Sequence, residues 1–277
     1  DGSDVVLLTD VSGTELSVSD ESSTGSVALS SDLSLGYVEL STATQLSESI
    51  TLSDSMVEYL ESLEFSAVEL SLSNSYIAGP GLSISGTQVS AEESGILVET
   101  LELESGASLD ISDGSMLDVT YEGIYGLNSE LVLSGTSNML VDALSLEGSQ
   151  DWELSNGSVI TVNSIIGTGT LNMVLDETSQ VDIYTMTSSG DELSTIVYNG
   201  GSVKIGQTDG SVEVSDGTLS VFSELDYMSI EETLTLGEES VLSIELGVTV
   251  SIGELIVEGG SLELIYTDTE TTDSDSL

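Results

Sequence analysis

Apolar and polar residues alternate in short stretches along most of this chain. The triplets that start at Leu101, Leu144, Leu234 and Leu262 are examples, with an aliphatic side chain at every second position. A period of two places the aliphatic side chains on one face of a β-strand and Glu, Ser or Thr on the other. Because turn residues follow each short stretch, the pattern predicts many short strands.

The strand pattern itself recurs. Eight residues separate the starts of neighbouring strands at Leu101 and Leu109 and again at Leu144 and Trp152. Related segments start at positions 144, 173, 203 and 234, which are 29 to 31 residues apart. This spacing predicts a solenoid in which each turn has a strand, a short turn, a second strand and a longer return.

Stacked coils would bury a continuous column of Leu, Val and Ile, so the sequence predicts an all-β parallel β-helix. We expect about 20 to 30 residues in each coil. The alternative fold is a β-sandwich, which needs longer strands and more varied loops than these short, similar segments indicate.

Two stretches interrupt the pattern. Residues 53–65 have Met56, Leu60 and Leu63 at helical spacing, which favours a short helix, although an irregular pair of strands is the alternative. The one proline, Pro80, indicates a sharp turn or a boundary.

We therefore divide the chain into three parts. An irregular N-terminal β part or solenoid start covers residues 1–78, a regular β-solenoid covers 79–266, and an acidic tail covers 267–277. Because the chain begins with Asp rather than Met, we expect it to be a processed or excerpted segment.

Acidic side chains dominate the charge. The chain has 50 Asp and Glu residues against one basic residue, Lys204, for a formal net charge of -49. Nucleic acids bind through Lys and Arg, so this composition argues against nucleic-acid binding. Anionic lipid surfaces would repel the chain, and no apolar run is long enough for membrane insertion. With hydrophobic residues at 39%, the chain can still form a core.

The same composition argues against an enzyme. The chain has no His, Arg or Cys, and we interpret Lys204 as a solvated charge rather than a catalytic base. Carboxylates suit Ca²⁺, which prefers oxygen ligands. The candidate ligands are Asp110, Asp113, Asp209 and Asp216, which lie in strand–turn segments. The alternative, which we favour, is that the Asp-Gly pairs among them only form turns.

The segments that start at Gly200 (GGSVKIGQTDGSVEVSDGTLSV) and at Gly259 (GGSLELIY) carry a family resemblance. Their short strands and Ser/Thr/Gly-rich turns resemble the right-handed β-helix passenger domains of autotransporters and filamentous-haemagglutinin-like adhesins. The resemblance covers residues 83–266 and implies a right-handed β-helix at the cell surface or outside the cell.

From these observations we expect a non-enzymatic extracellular structural protein, a subunit of a surface fibre, sheath or adhesin. Its partners would be further copies of itself in a homopolymer, with cations and host or matrix glycans as other candidates. The alternative function is a carbohydrate-binding or polysaccharide-cleaving β-helix protein. A third hypothesis explains the acidity as adaptation to high salt, where carboxylates keep a surface hydrated.

Overall fold

The alternating stretches form parallel strands that stack coil upon coil. The computed structural model describes residues 5–7, 11–12, 15–20, 27–29, 33–42, 49–54, 56–66, 69–84, 88–103, 108–125, 130–146, 148–188, 195–221, 227–245 and 248–265. Over these residues it is an all-β, right-handed parallel β-helix in one 25-stranded sheet. None of the described residues belongs to a helix that is long and apolar enough to cross a membrane.

The sheet winds around three faces, which we call A, B and C in the order in which the chain visits them. Face A is formed by β1 (Val5–Leu7), β4 (Val27–Leu29), β6 (Ser49–Ser53), β8 (Glu69–Ser73), β10 (Gln88–Glu92), β12 (Ser108–Ser112), β14 (Glu130–Leu133), β16 (Gln150–Leu154), β18 (Thr170–Leu175) and β20 (Thr195–Asn199).

Faces B and C share most of their strands. Strands β2 (Val11–Ser12) and β3 (Glu15–Asp20) begin these two faces separately. The strands that bend from face B onto face C are β5 (Leu33–Thr42), β7 (Met56–Ser66), β9 (Tyr76–Ile84), β11 (Gly95–Leu103), β13 (Met116–Tyr125), β15 (Asn138–Leu146), β17 (Val159–Gly167), β19 (Gln180–Ser188) and β21 (Ser202–Thr208).

The last four strands turn the corners without a break. Strand β22 (Ser211–Ser220) runs from face A to face B, and β23 (Tyr227–Glu245) covers faces C, A and B in succession. Strand β24 (Thr249–Val257) covers faces C and A of the next coil, and β25 (Ser261–Ile265) covers its face B.

One coil on face C takes about 21 residues, within the 20 to 30 expected for a coil but fewer than the 29 to 31 residues that separate the related segments. On face C, Leu144 pairs with Ile165 and Ile165 pairs with Met186, each 21 positions further on. The spacing of 29 to 31 residues joined strands on different faces, since Leu144 lies on face C and Met173 on face A. The interval from Leu144 to Met173 adds the eight-residue step from face C to face A to one coil of 21 residues, and the expected return segment is a third strand.

The core is a column of aliphatic side chains inside the three faces. Met139, Ile160, Val181 and Val203 pair in register on successive coils of face B, and each is at most 2% exposed. Trp152 lies in the equivalent column of face A and is also buried. Each fully buried side chain of this size contributes about 1.5 to 3 kcal/mol through the hydrophobic effect.

The prediction of a short helix within residues 53–65 is wrong. Residues Met56–Ser66 form strand β7, which pairs in parallel with β5 and β9. The pairing shifts register between Glu58 and Leu63, where the strand turns from face B to face C. An extra residue in this bend changes the phase of the alternation, and the altered phase imitates the spacing of a helix.

Pro80 does not end a strand. It lies inside β9, at the bend between Gly79 and Gly81, whose pairing partners on β11 are Val98 and Thr100. Proline has no backbone N–H to donate to a ladder, and the bend is a position where no ladder pairing is required. Strand pairing therefore continues across the proposed boundary at residue 79, while the tail at 267–277 lies outside the described residues.

Candidate functional site

The turns between faces A and B stack into an acidic corner. Asp54, Asn74, Glu93, Asp113 and Asn156 occupy equivalent places in these turns, each with a positive φ between 46° and 58°. Short polar side chains and Gly tolerate this left-handed conformation better than other residues do. Asp113-Gly114 and Asn156-Gly157 lie in turns, whereas Asp216-Gly217 lies within strand β22.

Asp113 lies close enough to Asp110 for its charge to act on the Asp110 carboxylate. Asp110 is half-buried on face A, in register with Ser90 and Val132. Burial, and to a smaller extent the negative charge of Asp113, raises the pKa of Asp110 above its ordinary value. Asp113 itself is exposed in the turn after β12.

Asp209 lies at the other end of a coil, in the turn that leaves face C. Its carboxylate accepts hydrogen bonds from the backbone N–H of Ser188 at 2.9 Å and from the Ser188 hydroxyl at 3.0 Å. These contacts join two successive coils. The hydrogen bonds of Asp209 therefore hold neighbouring coils together.

Asp216 lies in the turn between faces A and B within β22. Its carboxylate accepts a hydrogen bond of 2.6 Å from the backbone N–H of Gly217, and its carbonyl accepts one of 3.0 Å from Gly200. Among the described residues, no three His, Cys, Asp or Glu side chains lie close enough together to hold a metal ion. The structure thus brings Asp110 near Asp113 and places Asp209 and Asp216 in separate turns.

Asp176 makes the densest set of hydrogen bonds at the acidic corner. Its carboxylate accepts from the backbone N–H of Asn156 on the preceding coil at 2.5 Å, and from the hydroxyls of Thr178 and Ser179 at 2.8 and 2.7 Å. Partial burial raises the pKa of Asp176, but these hydrogen bonds and one from the Thr178 N–H outweigh it and lower the pKa to about 2. The charge of Asp176 therefore stabilises the turn.

A ladder of buried serines lies just inside the same corner, and the alternation of apolar and polar residues does not reveal it. Each serine directly precedes the residues that form face B, and each is at most 6% exposed. The ladder consists of Ser75, Ser94, Ser115, Ser137, Ser158, Ser179 and Ser240.

The ladder hydroxyls form hydrogen bonds with backbone groups of the turns. Ser137 donates to the carbonyl of Ser134 at 2.6 Å, and Ser158 donates to that of Ser155 at 2.8 Å. The Ser94 hydroxyl accepts from the N–H of Ser75 on the neighbouring coil at 3.1 Å. The recurring serine of the Asp-Gly-Ser and Asn-Gly-Ser segments was the available signal.

Lys204 is not simply a solvated charge. Its ammonium group lies 3.8 Å from the carboxylate of Asp182, its partner in register on the preceding coil of face B. Both side chains remain partly accessible, at 34% for Lys204 and 15% for Asp182. The one cation of the chain therefore sits on face B.

The last described coil leaves its inward side chains uncovered. Leu255 and Val257 occupy the core column of face A, and Leu262 and Leu264 occupy that of face B, yet they are between 50% and 62% exposed. Their partners on the preceding coil, such as Leu234 and Leu242, are buried. We call these four residues the open end.

The fold places this chain in the class of parallel β-solenoid proteins with three-sided coils. Comparisons with protein-family models, with curated proteins and with solved structures find no match to the chain.

Proposed function

We propose that this chain is a non-enzymatic structural protein that acts outside the cell or at its surface. In this proposal it is a subunit of a fibre, sheath or adhesin, and its copies stack end to end as β-solenoid coils. The observation that carries the proposal is the open end. A coil from a second copy would cover Leu255, Val257, Leu262 and Leu264 and so extend the core column by one more coil.

The backbone at the open end supports the same proposal. Strands β24 and β25 pair with β23 on one side, and within the described residues no strand pairs with their other edge. An unpaired edge is a template for a further strand. Stacking in one direction repeats the same contact on each added copy, which gives a filament rather than a closed dimer.

Covering the open end would contribute to assembly. The four side chains are 50% to 62% exposed, so covering them would contribute roughly half of the full burial energy, or about 3 to 7 kcal/mol before other terms. Losing translational and rotational freedom costs about 4 to 15 kcal/mol, so added backbone pairing would decide the affinity. The right-handed β-helix is also the architecture of the passenger domains that the sequence resembles, which supports a surface location.

Electron microscopy of Leu262→Asp beside Ser261→Asp tests this proposal. Both variants add one carboxylate to exposed positions of β25, but only the first places it in the core column. We expect filaments from the wild type and from Ser261→Asp, and isolated particles from Leu262→Asp. Wild-type protein that stays as isolated particles at high concentration, with and without calcium, would contradict end-to-end stacking.

A further inference from the structure

Face B is poor in carboxylates compared with the rest of this acidic chain. On each coil of face B two side chains point outward, and these side chains form two rows that run along the helix axis. The second row includes Asp118, Leu140, Thr161, Asp182 and Lys204, each in register with the next. From Tyr76 to Ser220, Asp118 and Asp182 are the acidic residues that point outward on face B.

Apolar side chains occupy many of the remaining outward positions. Met116 and Leu140 are 43% and 45% exposed, and Val159 and Leu97 are half-buried. The ring of Tyr76 lies over Gly95, where a Cβ atom would come within 2.5 Å of it. Face B therefore has an apolar strip that is exposed to solvent in a single copy.

Two of the three charges in this row, Asp118 and Lys204, lie at equal distances on either side of one coil. Counting along the second row from Thr161, Asp118 lies two coils towards the N-terminus and Lys204 lies two coils towards the C-terminus. With about 4.8 Å between parallel strands, each lies about 10 Å from Thr161 along the helix axis.

We propose that face B binds a second copy of this chain, with the two β-helices antiparallel. The two copies would be related by a two-fold axis that runs along the strand direction at Thr161. The second row of one copy would then face the second row of the other, and the two rows would run in opposite directions. Asp118 of each copy would then face Lys204 of the other, and Thr161 and Val159 would meet their own counterparts. Such an interface is self-complementary, as closed dimers require.

Charge identifies a second copy as the occupant. On face A, carboxylates at Asp110, Glu130, Glu153 and Glu213 would oppose any acidic partner. Face B instead brings the only cation of the chain, Lys204, against Asp118 at two places in the dimer. In that arrangement Lys204 lies between Asp182 of its own copy and Asp118 of the other.

The interface would be modest in size. A strip two residues wide buries well below the roughly 800 Å² per partner of a standard interface, so we expect a weak dimer. Because each copy carries a net charge of -49, dimerisation should strengthen as salt screens the rest of the surface. The proposal does not depend on end-to-end stacking, since it uses a different surface.

Cysteine cross-linking tests the antiparallel arrangement, because the chain has no Cys of its own. Leu97 and Ser220 lie three coils on either side of Thr161 in the second row. A mixture of Leu97→Cys and Ser220→Cys should cross-link with a short bismaleimide several-fold more than either variant alone. Thr161→Cys should cross-link with itself, and Asn172→Cys on face A is the control.

Two results would overturn this geometry. One is cross-linking of Thr161→Cys no stronger than that of Asn172→Cys. The other is self-linking of Leu97→Cys as strong as the mixture, which parallel helices would give. End-to-end stacking would instead produce a series of species larger than dimers, so the failure of one proposal is distinguishable from the failure of the other.

Charge exchange tests the pairing of Asp118 with Lys204. Asp118→Lys and Lys204→Asp should each weaken the dimer about tenfold in sedimentation equilibrium at 0.15 M salt, and the double exchange should restore it. Glu153→Lys on face A is the matched control, because it changes the net charge as Asp118→Lys does. If Asp118→Lys strengthens association as much as Glu153→Lys, net charge alone governs association and the proposal fails.

Discussion

Leu234 and Leu255 are the same residue type in neighbouring places of one core column, and their surroundings differ completely. They pair in register on face A, yet Leu234 is fully buried and Leu255 is 50% exposed. Leu242 and Leu262 on face B differ in the same way, at 3% and 62%. A coil of this fold thus obtains half of its burial from the coil before it and half from the coil after it.

The largest effect on stability should come from shortening Leu234, the buried member of the first pair. The same change at Leu255, the exposed member, is the comparison. Leu234→Ala leaves a cavity between two coils and should lower the free energy of unfolding by about 3 kcal/mol. Leu255→Ala removes a side chain that is already half in water, and it should cost less than about 1 kcal/mol. Urea unfolding measures both values, with each variant made in the Leu262→Asp background so that the protein stays as isolated particles with an uncovered end.

Equal losses for Leu234→Ala and Leu255→Ala would contradict the comparison. Such a result would mean that the open end is covered in solution as well as the middle of the solenoid.

A smaller effect is expected inside the acidic corner. Ser137→Ala removes the hydroxyl that donates to the Ser134 carbonyl and should cost about 1 kcal/mol, since this group is buried. The control is Ser164→Ala on face C, where the hydroxyl is half-buried. Thermal unfolding should show a lower Tm for the first variant and little change for the second, and a reversed order would show that the ladder does not stabilise the corner.

Asp176 should contribute a stabilisation that depends on pH. Because its pKa is lowered to about 2 in the folded protein, its charge stabilises the fold above the ordinary pKa of Asp and ceases to do so as pH falls through about 2. Asp176→Asn should therefore lower Tm at pH 7, and the loss in the free energy of unfolding should be less than about 1 kcal/mol because solvent screens this exposed group. The difference from the wild type should shrink between about pH 4 and pH 2.

A Tm difference that stays constant over this range would mean that the Asp176 carboxylate does not carry the effect. The side-chain amide would then have replaced all of its hydrogen bonds.

Asp110 should show the smallest effect, with the opposite sign. Burial raises its pKa, so its charged form is disfavoured in the folded state at neutral pH. Asp110→Asn should raise Tm slightly at pH 7, and the gain should vanish once pH falls below the ordinary pKa of Asp. Asp113→Asn is the comparison variant, because it removes the charge that acts on Asp110 while leaving the half-buried carboxylate in place. A lower Tm for Asp110→Asn at pH 7 would contradict this assignment.

The β-helix itself was predictable from the alternation of Leu and polar residues, and the burial of Trp152 follows from its place in that alternation. The three-sided shape of the coil was not predictable from the sequence. Strands on faces C and A start eight residues apart, and so do strands on faces A and B, so different faces look equivalent in the sequence. The segment at Met56–Ser66 was ambiguous for a related reason, since its bend adds a residue and shifts the period.

The candidate metal ligands show the same limit at the level of single residues. Asp110, Asp113, Asp209 and Asp216 look alike in the sequence, as acidic residues next to turns. Their surroundings depend on the residues about 21 positions away on adjacent coils, such as Ser188 for Asp209. The register of the coils decides these neighbours, and turns of slightly different length make that register hard to read from the sequence.

The Asp-Gly segments illustrate the point. In ISDGS and LSNGS, the final serine is Ser115 or Ser158 and belongs to the buried ladder. In VSDGT, Thr218 pairs with Ser202 instead, so Gly217 takes the ladder position and the turn is one residue shorter. Similar sequences thus differ in structural role.

The sequence by itself determined short strands with an aliphatic interior and an acidic exterior, because a two-residue alternation places the two kinds of side chain on opposite faces. The recurrence of similar short strands favoured a parallel β-helix over a β-sandwich. Only the tertiary structure decided which positions meet: it placed the serines in one ladder, Lys204 beside Asp182, and four core residues at an open end. The physical reason is that each coil finds its contacts on neighbouring coils, at distances along the chain that vary with every corner.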